Sequence, residues 1–179
     1  MRILVAETAD KQHKTIVEMD RARLLEGLQQ DQGWHEVIPM YDSNEPLRVY
    51  FDIDAFDHSP EAVLEEVMGA LNVVFHTTKE DWAIASCHRD KKVSFHLLSR
   101  RYKCSLRRLR DLAISLQKNI RWIDLSAYWF SPSDRAEEGS LRLPNQSKGV
   151  IHKEGPPFLI EQGDLVEFLV TDVTGLVSF

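Results

Sequence analysis

Residues 47–54, with the sequence LRVYFDID, alternate strictly between two kinds of side chain. A period of two that is rich in β-branched and aromatic residues predicts a β-strand with one face in a core. The inward face would carry Leu47, Val49, Phe51 and Ile53, and the other face Arg48, Tyr50, Asp52 and Asp54. The two aspartates would leave the sheet about 7 Å apart along the strand, and like charges at that spacing predict a cation between them. A lone Asp-X-Asp pair is more often the solvated face of an edge strand, so the rest of the sequence has to decide.

The size and composition favour one intracellular domain. The chain of 179 residues can build one well-cored domain, with room for two lobes. No apolar run approaches the roughly 20 residues that span a bilayer, and the N-terminal residues do not resemble a signal peptide. Cys87 and Cys104 are the only cysteines, which excludes a disulfide framework and a cysteine-rich zinc site within this sequence. We therefore expect a protein that is neither secreted nor embedded in a membrane.

Charge is distributed unevenly along the sequence. The formal net charge of −6 argues against a protein that coats nucleic acid non-specifically. Cations nevertheless cluster between residues 89 and 110, where Asp90 is the only acid: Arg89, Lys91, Lys92, Arg100, Arg101, Lys103, Arg107, Arg108 and Arg110. This basic segment predicts a surface for a phosphate-bearing partner. A solvated helix face beside a basic loop is an equally common explanation.

Helix starts and turn signals predict an alternation of strands and helices. Three helices are expected to begin after the capping residues Asp20, Ser59 and Ser105, and another to run from Asp164 to Val170. Further strands are expected at residues 2–7, 15–19, 34–41, 82–87, 92–98 and 140–143. The turn at residues 42–46 would join strand 34–41 to the central strand as a hairpin.

Polar residues on the later strands form a second group of candidates. In KVSFHLL (residues 92–98), Lys92, Ser94 and His96 share one face, and an ammonium, a hydroxyl and an imidazole can hold a phosphate or a sugar. Asp124 follows an apolar pair at an expected strand end. The turn at residues 144–147 can bring Lys148 back near Arg142, a pair that suits a triphosphate tail. Considered separately, the residues at 92–96 can be explained as the polar face of a strand, and Arg142 and Lys148 as two unrelated surface cations.

The sequence contains, in this order, the motifs YFDID, KVSFH, WID and LRLPNQSK. These motifs and their order resemble those of the archaeo-eukaryotic primase superfamily. The similarity is greatest to the primase-polymerases and to the primase domains of D5-type viral primase-helicases, and it covers residues 47–148. The resemblance implies that Asp52, Asp54 and Asp124 are catalytic metal ligands for two Mg²⁺ or Mn²⁺ ions. It also implies that Lys92, Ser94 and His96 contact the incoming NTP or dNTP, and that Arg142 and Lys148 contact its phosphates.

The resemblance also implies a fold and a set of partners. The fold would be α+β: an RRM-like antiparallel sheet with packed helices at residues 47–179, a smaller N-terminal α/β lobe at residues 1–46, and the active site in the cleft between them. We expect a single catalytic domain excised from a larger protein, acting at a replication site of a virus, plasmid or host. Its partners would be a single-stranded DNA template and a primer, with a helicase module possible in the full-length chain. The predicted DNA-binding residues are Arg89, Lys91, Arg100, Arg101, Lys103, Arg107 and Arg108.

Two other functions fit parts of the sequence. A metal-dependent nuclease would use the same carboxylates, but it gives no reason for the cations at residues 92, 142 and 148. A non-catalytic RRM-like binding module would need exposed stacking aromatics on its sheet, and the central strand offers only Tyr50. The sequence lacks the cysteine and histidine zinc-binding tail used in priming and the GxxxxGK[ST] loop of an attached helicase. We therefore expect a nucleotidyltransferase that joins NTPs or dNTPs to a 3′-hydroxyl, and the sequence leaves de novo priming, primer extension and lesion bypass open.

Overall fold

The computed structural model of the chain describes residues 2–8, 14–38, 44–128, 139–147 and 156–179. The described residues form a mixed α/β structure with two sheets and three helices. Within both sheets the neighbouring strands are antiparallel, apart from a short parallel pairing at the C-terminus. The expected combination of antiparallel sheet and helices is confirmed at this level. No helix among these residues has both the length and the apolar character needed to cross a bilayer.

The first sheet has the strand order β2-β1-β3-β7. Its strands are β1 (Arg2–Thr8), β2 (Lys14–Asp20), β3 (Trp34–Ile38) and β7 (Gly139–Arg142). Helix α1 (Arg21–Gly27) follows β2, and the Asp20 carboxylate accepts a hydrogen bond from the Arg23 amide, as expected of an N-cap. The strand β7 belongs to this sheet although the sequence analysis assigned residues 47–179 to the other lobe. The chain therefore returns to the N-terminal lobe after completing most of the second sheet.

The second sheet has the order β4-β6-β5-β8. Its strands are β4 (Pro46–Phe56), β5 (Trp82–Ser86), β6 (Lys92–Ser105) and β8 (Leu159–Gln162), and β9 (Val177–Ser178) pairs with β6 in parallel. The outer edge of β4 is bridged at Ile53 by Ile123. Because β3 and β4 lie in different sheets, the predicted hairpin between them is wrong.

Helices α2 (Pro60–Phe75) and α3 (Leu106–Gln117) begin at the predicted caps. The Ser59 and Ser105 hydroxyls accept hydrogen bonds from amides three residues later. The buried residues of α2 and α3 share one core with the inward face of the second sheet, so that these helices cover the face opposite the aspartates. The predicted helix at residues 164–170 is only a 3₁₀ turn, Leu165–Phe168, which begins with a capping box.

The strand β4 is buried on more of its surface than its alternation predicts. Leu47, Val49, Phe51 and Ile53 enter the core as expected, but Arg48 and Tyr50 on the other face are also buried. The Tyr50 ring stacks on Tyr128, whereas Arg48 is covered by the C-terminal segment 169–172. The Arg48 amide and guanidinium donate to the carbonyls of Val170, Leu169 and Asp172.

The same segment connects two cores. Leu169 packs in a smaller core with β1, β3 and α1, whereas Val170 packs in the main core. The carboxylate of Glu36 on β3, which is fully buried, accepts from the Val170 amide and from the amide and hydroxyl of Thr171. Glu36 and Arg48 thus hold the segment from opposite sheets.

Candidate active site

The candidate site is built on the antiparallel pairing of β4 with β6. In this register Asp52 is opposite His96 and Asp54 is opposite Ser94. Cross-strand neighbours project from the same face of a sheet with their Cβ atoms about 4.5–5.5 Å apart. The two motifs that the sequence could only place on separate strand faces therefore lie on one face, side by side.

Both carboxylate oxygens of Asp54 are engaged by β6. The Lys92 ammonium lies 2.6 Å from Oδ2 and is its ion-pair partner. The Ser94 hydroxyl donates to Oδ1. The ammonium thus neutralises Asp54, while the cation predicted between Asp52 and Asp54 stays a prediction.

Asp124 is brought to the site by backbone pairing along the free edge of β4. The Asp124 amide donates to the Asp52 carbonyl at 2.9 Å, and the Asp54 amide donates to the Trp122 carbonyl at 2.9 Å. After this pairing a 3₁₀ turn, Leu125–Tyr128, returns the chain over β4. The Tyr128 hydroxyl donates to the Tyr50 carbonyl and accepts from the Asp52 amide. The three predicted acids therefore lie on two hydrogen-bonded neighbouring segments.

The electrostatics of Asp52 reflect this convergence. Burial, together with the negative charges of Asp54 and Asp124, raises the pKa of Asp52 to about 7, although Lys92 and Arg142 oppose the shift. A carboxyl group in this environment gains from any cation that enters the site. Hard carboxylate oxygens are the ligands that Mg²⁺ and Mn²⁺ prefer, so the donor chemistry fits such an ion. In the described ranges, no three histidine, cysteine or carboxylate groups are already arranged to hold a metal ion.

His96 is held in a buried, aromatic environment. Its ring stacks on Phe158 with 3.7 Å between the centroids, and its Nε2 lies 3.7 Å from Asp52 Oδ1. Burial and the nearby Arg142 guanidinium hold the pKa of His96 well below its usual value. The imidazole is therefore neutral at neutral pH, and it can exchange hydrogen bonds with a ligand without adding charge.

Arg142 reaches the same place from the other sheet. Its guanidinium lies over the Phe158 ring, 4.6 Å from the centroid, and donates to the Pro156 carbonyl at 3.4 Å. Burial lowers the pKa of Arg142, and the nearby Arg89 adds to this effect. The ordinary pKa of a guanidinium is so high that Arg142 keeps its charge, so this half-buried residue supplies a cation whose field reaches Asp52.

The turn after β7 is fixed by two side chains of the predicted motif. The buried Gln146 amide accepts from the amides of Gln32 and Trp34 and donates to the Gln30 carbonyl. The Ser147 amide and hydroxyl both donate to the Asp31 carboxylate. These bonds attach the turn to the loop before β3. Lys148, which was predicted to return near Arg142, lies outside the described residues.

Two residues at the site were missing from the sequence prediction. Phe158 contacts both His96 and Arg142, but its segment carried no motif. His35 is paired with Arg142 across β3 and β7, and its charge lowers the pKa of His96. Only the pairing of β3 with β7, which the sequence prediction did not contain, would have pointed to His35.

The residues of the predicted basic segment are distributed between the two ends of β6. Arg89 and Lys91 lie in the turn before β6, near Arg142 and Asp57 respectively. The other predicted DNA-binding residues lie at the far end of β6 and at the start of α3: Arg100, Arg101, Lys103, Arg107 and Arg108. Along an extended strand, Lys103 is roughly 35 Å from Lys92. Arg100 and Arg101 are also paired with Glu167 and Asp81.

Neither protein-family models nor curated proteins give a match to this chain. The case for a function therefore depends on the geometry of the site.

Proposed function

We propose that this chain is the catalytic domain of a template-dependent nucleotidyltransferase, a DNA primase or primase-polymerase of the archaeo-eukaryotic type. The observation that carries the proposal is the register between β4 and β6, in which Asp52 and Asp54 are opposite His96 and Ser94. The Asp124 amide donates to the Asp52 carbonyl, and the charge of Arg142 lowers the pKa of the Asp52 carboxyl group. Acidic and nitrogen-bearing groups from four distant parts of the sequence thus meet at one point.

The arrangement of strands supports the same proposal. The chain follows the order β4-α2-β5-β6-α3, and residue 123 then returns to the free edge of β4. This order is similar to the βαββαβ order expected of an RRM-like module, with the bridge at Ile123 in the place of the last strand. In our proposal, the carboxylates of Asp52, Asp54 and Asp124 belong to that module, and Arg142 comes from the N-terminal lobe. The cleft between the two lobes would then hold the nucleotide.

In the proposed reaction each set of residues has a separate task. Arg142, with Lys148, binds the β- and γ-phosphates as a guanidinium fork and a point charge. Ser94 and the neutral His96 orient the nucleotide, and Lys92 exchanges Asp54 for a phosphate oxygen. The primer 3′-oxygen bonds to the α-phosphorus, the bond from that phosphorus towards the β-phosphate breaks, and pyrophosphate leaves. The hydroxyl proton is released to solvent.

Asp52, Asp54 and Asp124 are the residues that would hold divalent ions. Two such ions about 3.5–4 Å apart can stabilise the attacking and leaving oxygens of an in-line displacement. The carboxylates would gain from that charge because they repel each other in its absence. Phosphoryl transfer otherwise depends on positioning and charge neutralisation, which is what the surrounding cations offer.

The alternatives account for less of this arrangement. A nuclease would use the carboxylates, but it would not need Arg142 beside Asp52 or the phosphate-facing groups on β6. A binding module would need an exposed aromatic residue at the centre of the sheet, and Tyr50 is buried there against Tyr128. The geometry supports polymerisation best.

The test is an incorporation assay on primed single-stranded DNA with NTPs or dNTPs in Mg²⁺ or Mn²⁺. We expect the wild-type protein to lengthen the primer. Asp52→Asn should abolish extension and leave DNA binding and the circular dichroism spectrum unchanged, because it removes a charge and keeps the shape. Extension by the variant at the wild-type rate would contradict the proposal, and shortening of the labelled strand would favour a nuclease.

A further inference from the structure

The active-site face of β4 ends in a large exposed aromatic residue. Phe56 is 60% exposed, although it lies at the end of a strand that is otherwise largely buried. Side chains alternate along a strand, so Phe56 shares its face with Asp52 and Asp54 and lies about 7 Å beyond Asp54. Neither the proposed catalysis nor the core uses this ring.

One ammonium group lies beside the exposed ring, and a second lies in the adjacent turn. The Lys92 ammonium lies 5.7 Å from the centroid of the Phe56 ring. Lys91, which is 81% exposed, lies in the adjacent turn, 3.7 Å from Asp57. An apolar ring bordered by ammonium groups is poorly suited to an apolar partner and well suited to a base joined to phosphates.

A second aromatic and cationic group continues this surface along the edge of β4. The His58 ring is 5.2 Å from the Trp122 ring, and the Arg121 guanidinium lies over Trp122 and contacts His58 Nε2 at 3.2 Å. Trp122 is anchored by its backbone to Asp54. We call this group the Phe56 patch: the exposed Phe56, His58 and Arg121, the half-buried Lys92, and the buried Trp122 that lies under Arg121.

We propose that the Phe56 patch binds single-stranded DNA, with one base stacked on Phe56 and the backbone phosphates beside Arg121. This inference depends on the proposed function, since it places the strand next to the carboxylates that would act on its 3′ end. It assigns DNA binding to the end of the sheet that carries the site. The cations at the far end of β6 and at the start of α3 are not needed for it.

Aromatic stacking and phosphate contacts affect the measured DNA binding in different ways. Stacking of bases on aromatic residues tolerates any sequence and weakens when the ring is removed. Each phosphate contact on single-stranded DNA adds about 0.7 to the magnitude of the slope of log K against log salt concentration. Loss of the Phe56 ring should therefore weaken DNA binding with little effect on the salt dependence. Loss of the Arg121 charge should weaken binding and also reduce the salt dependence.

The experiment measures fluorescence anisotropy of a labelled oligothymidylate with the full chain in Mg²⁺ and without nucleotide. We expect Phe56→Ala to weaken binding about fivefold or more, and Phe56→Trp to retain it. Arg121→Ala should weaken binding and reduce the salt slope by about 0.7. Val73→Ala and Arg23→Ala serve as matched controls and should bind as the wild type does, since both residues are exposed on helices away from the patch.

Binding by Phe56→Ala equal to that of the wild type would overturn the inference, as would an absence of single-strand binding by the wild type. Primer extension by the same variants separates this inference from the proposed function. If DNA binding depends on Phe56 but the wild type never extends a primer, the DNA-binding role of the Phe56 patch is supported and the nucleotidyltransferase proposal fails. If extension depends on Asp52 but neither binding nor extension depends on Phe56, the patch fails and the nucleotidyltransferase proposal stands.

Discussion

Asp54 has both of its carboxylate oxygens occupied, one by Lys92 and one by Ser94. Neither donor can serve a nucleotide fully while it remains bonded to this carboxylate. The proposed function therefore requires the Lys92 ammonium to leave Asp54 and turn to a phosphate, after which Asp54 would be free to hold a divalent ion. His96 differs, because its stacking on Phe158 holds the ring in place before any ligand arrives.

Phe158→Leu tests whether this stacking positions the nucleotide contacts. The substitution removes the ring that His96 and Arg142 share. We expect the KM for nucleotide to rise about tenfold with a smaller change in kcat, since a lost stack and a lost cation–π contact are each worth about 1 kcal/mol. Primer-extension kinetics provide the measurement. Phe168→Leu is a buried control without a contact to either residue, and it should lower stability while leaving KM unchanged.

At the residue scale, the sequence predicted what depends on neighbours along the chain. The alternation in residues 47–54 correctly placed Asp52 and Asp54 on one face, and the caps at Asp20, Ser59 and Ser105 act on amides three residues away. Tyr50 was placed on an open face because its partner, the Ala127 carbonyl, is 77 residues away. Contacts over such distances leave no periodic signal.

The elements that complete the site are short. Asp124 depends on one isolated bridge, Ile53 with Ile123, and on a single 3₁₀ turn. Tyr128, at the end of that turn, bonds to the backbone at Tyr50 and Asp52. The short pairing and the tyrosine together fix the third acid beside β4. A pattern search finds long amphipathic helices far more easily than such elements, and it detected only the apolar pair before Asp124.

Tyr128→Phe tests the role of this turn. It removes the hydroxyl that serves two buried backbone groups, and the free energy of unfolding should fall by about 1–3 kcal/mol. If the turn positions Asp124, kcat should fall as well. Primer extension measures kcat, and urea denaturation measures the free energy of unfolding. Tyr102→Phe is the matched control, because its hydroxyl bonds to the Phe75 carbonyl away from the site. A loss of stability without a loss of kcat in both variants would refute the positioning role.

At the scale of the whole molecule, the two sheets are joined by the segment that Glu36 and Arg48 hold. Burial raises the pKa of the Glu36 carboxyl above 4.5, although hydrogen bonds from Thr171 and Val170 oppose this shift. In the register of β3 and β7, Glu36 is opposite Leu141, the residue before Arg142. The attachment that holds the C-terminal segment is thus adjacent to the strand that delivers Arg142.

Glu36→Gln should change how stability depends on pH. A carboxyl whose pKa is raised in the folded state binds more protons when folded, so its favourable contribution is complete below pH 4.5 and is lost as pH rises through the raised pKa. The stability of the wild type relative to the variant should therefore decrease with rising pH above 4.5. Urea denaturation at several pH values measures this difference, and parallel profiles for the two proteins would count against it.

The sequence indicated the contents of each lobe better than their boundary. A division at residue 46 follows the change from one sheet to the other, but Arg142 lies on a strand of the first sheet. Strand pairing between residues a hundred positions apart is set by the packing of the whole chain. The motif LRLPNQSK identified a cation for the site without indicating which sheet would carry it.

The late return of the chain to the first sheet has a consequence for synthesis on the ribosome. The strand β3 receives one neighbour early, from β1, and the other only when residues 139–142 have been made. Until then one row of its amides and carbonyls has no strand beside it, and an open edge of this kind can pair with another chain. Nascent chains that end before residue 139 should therefore aggregate or recruit chaperones. Chains in which residues 1–179 have all emerged from the ribosome should not.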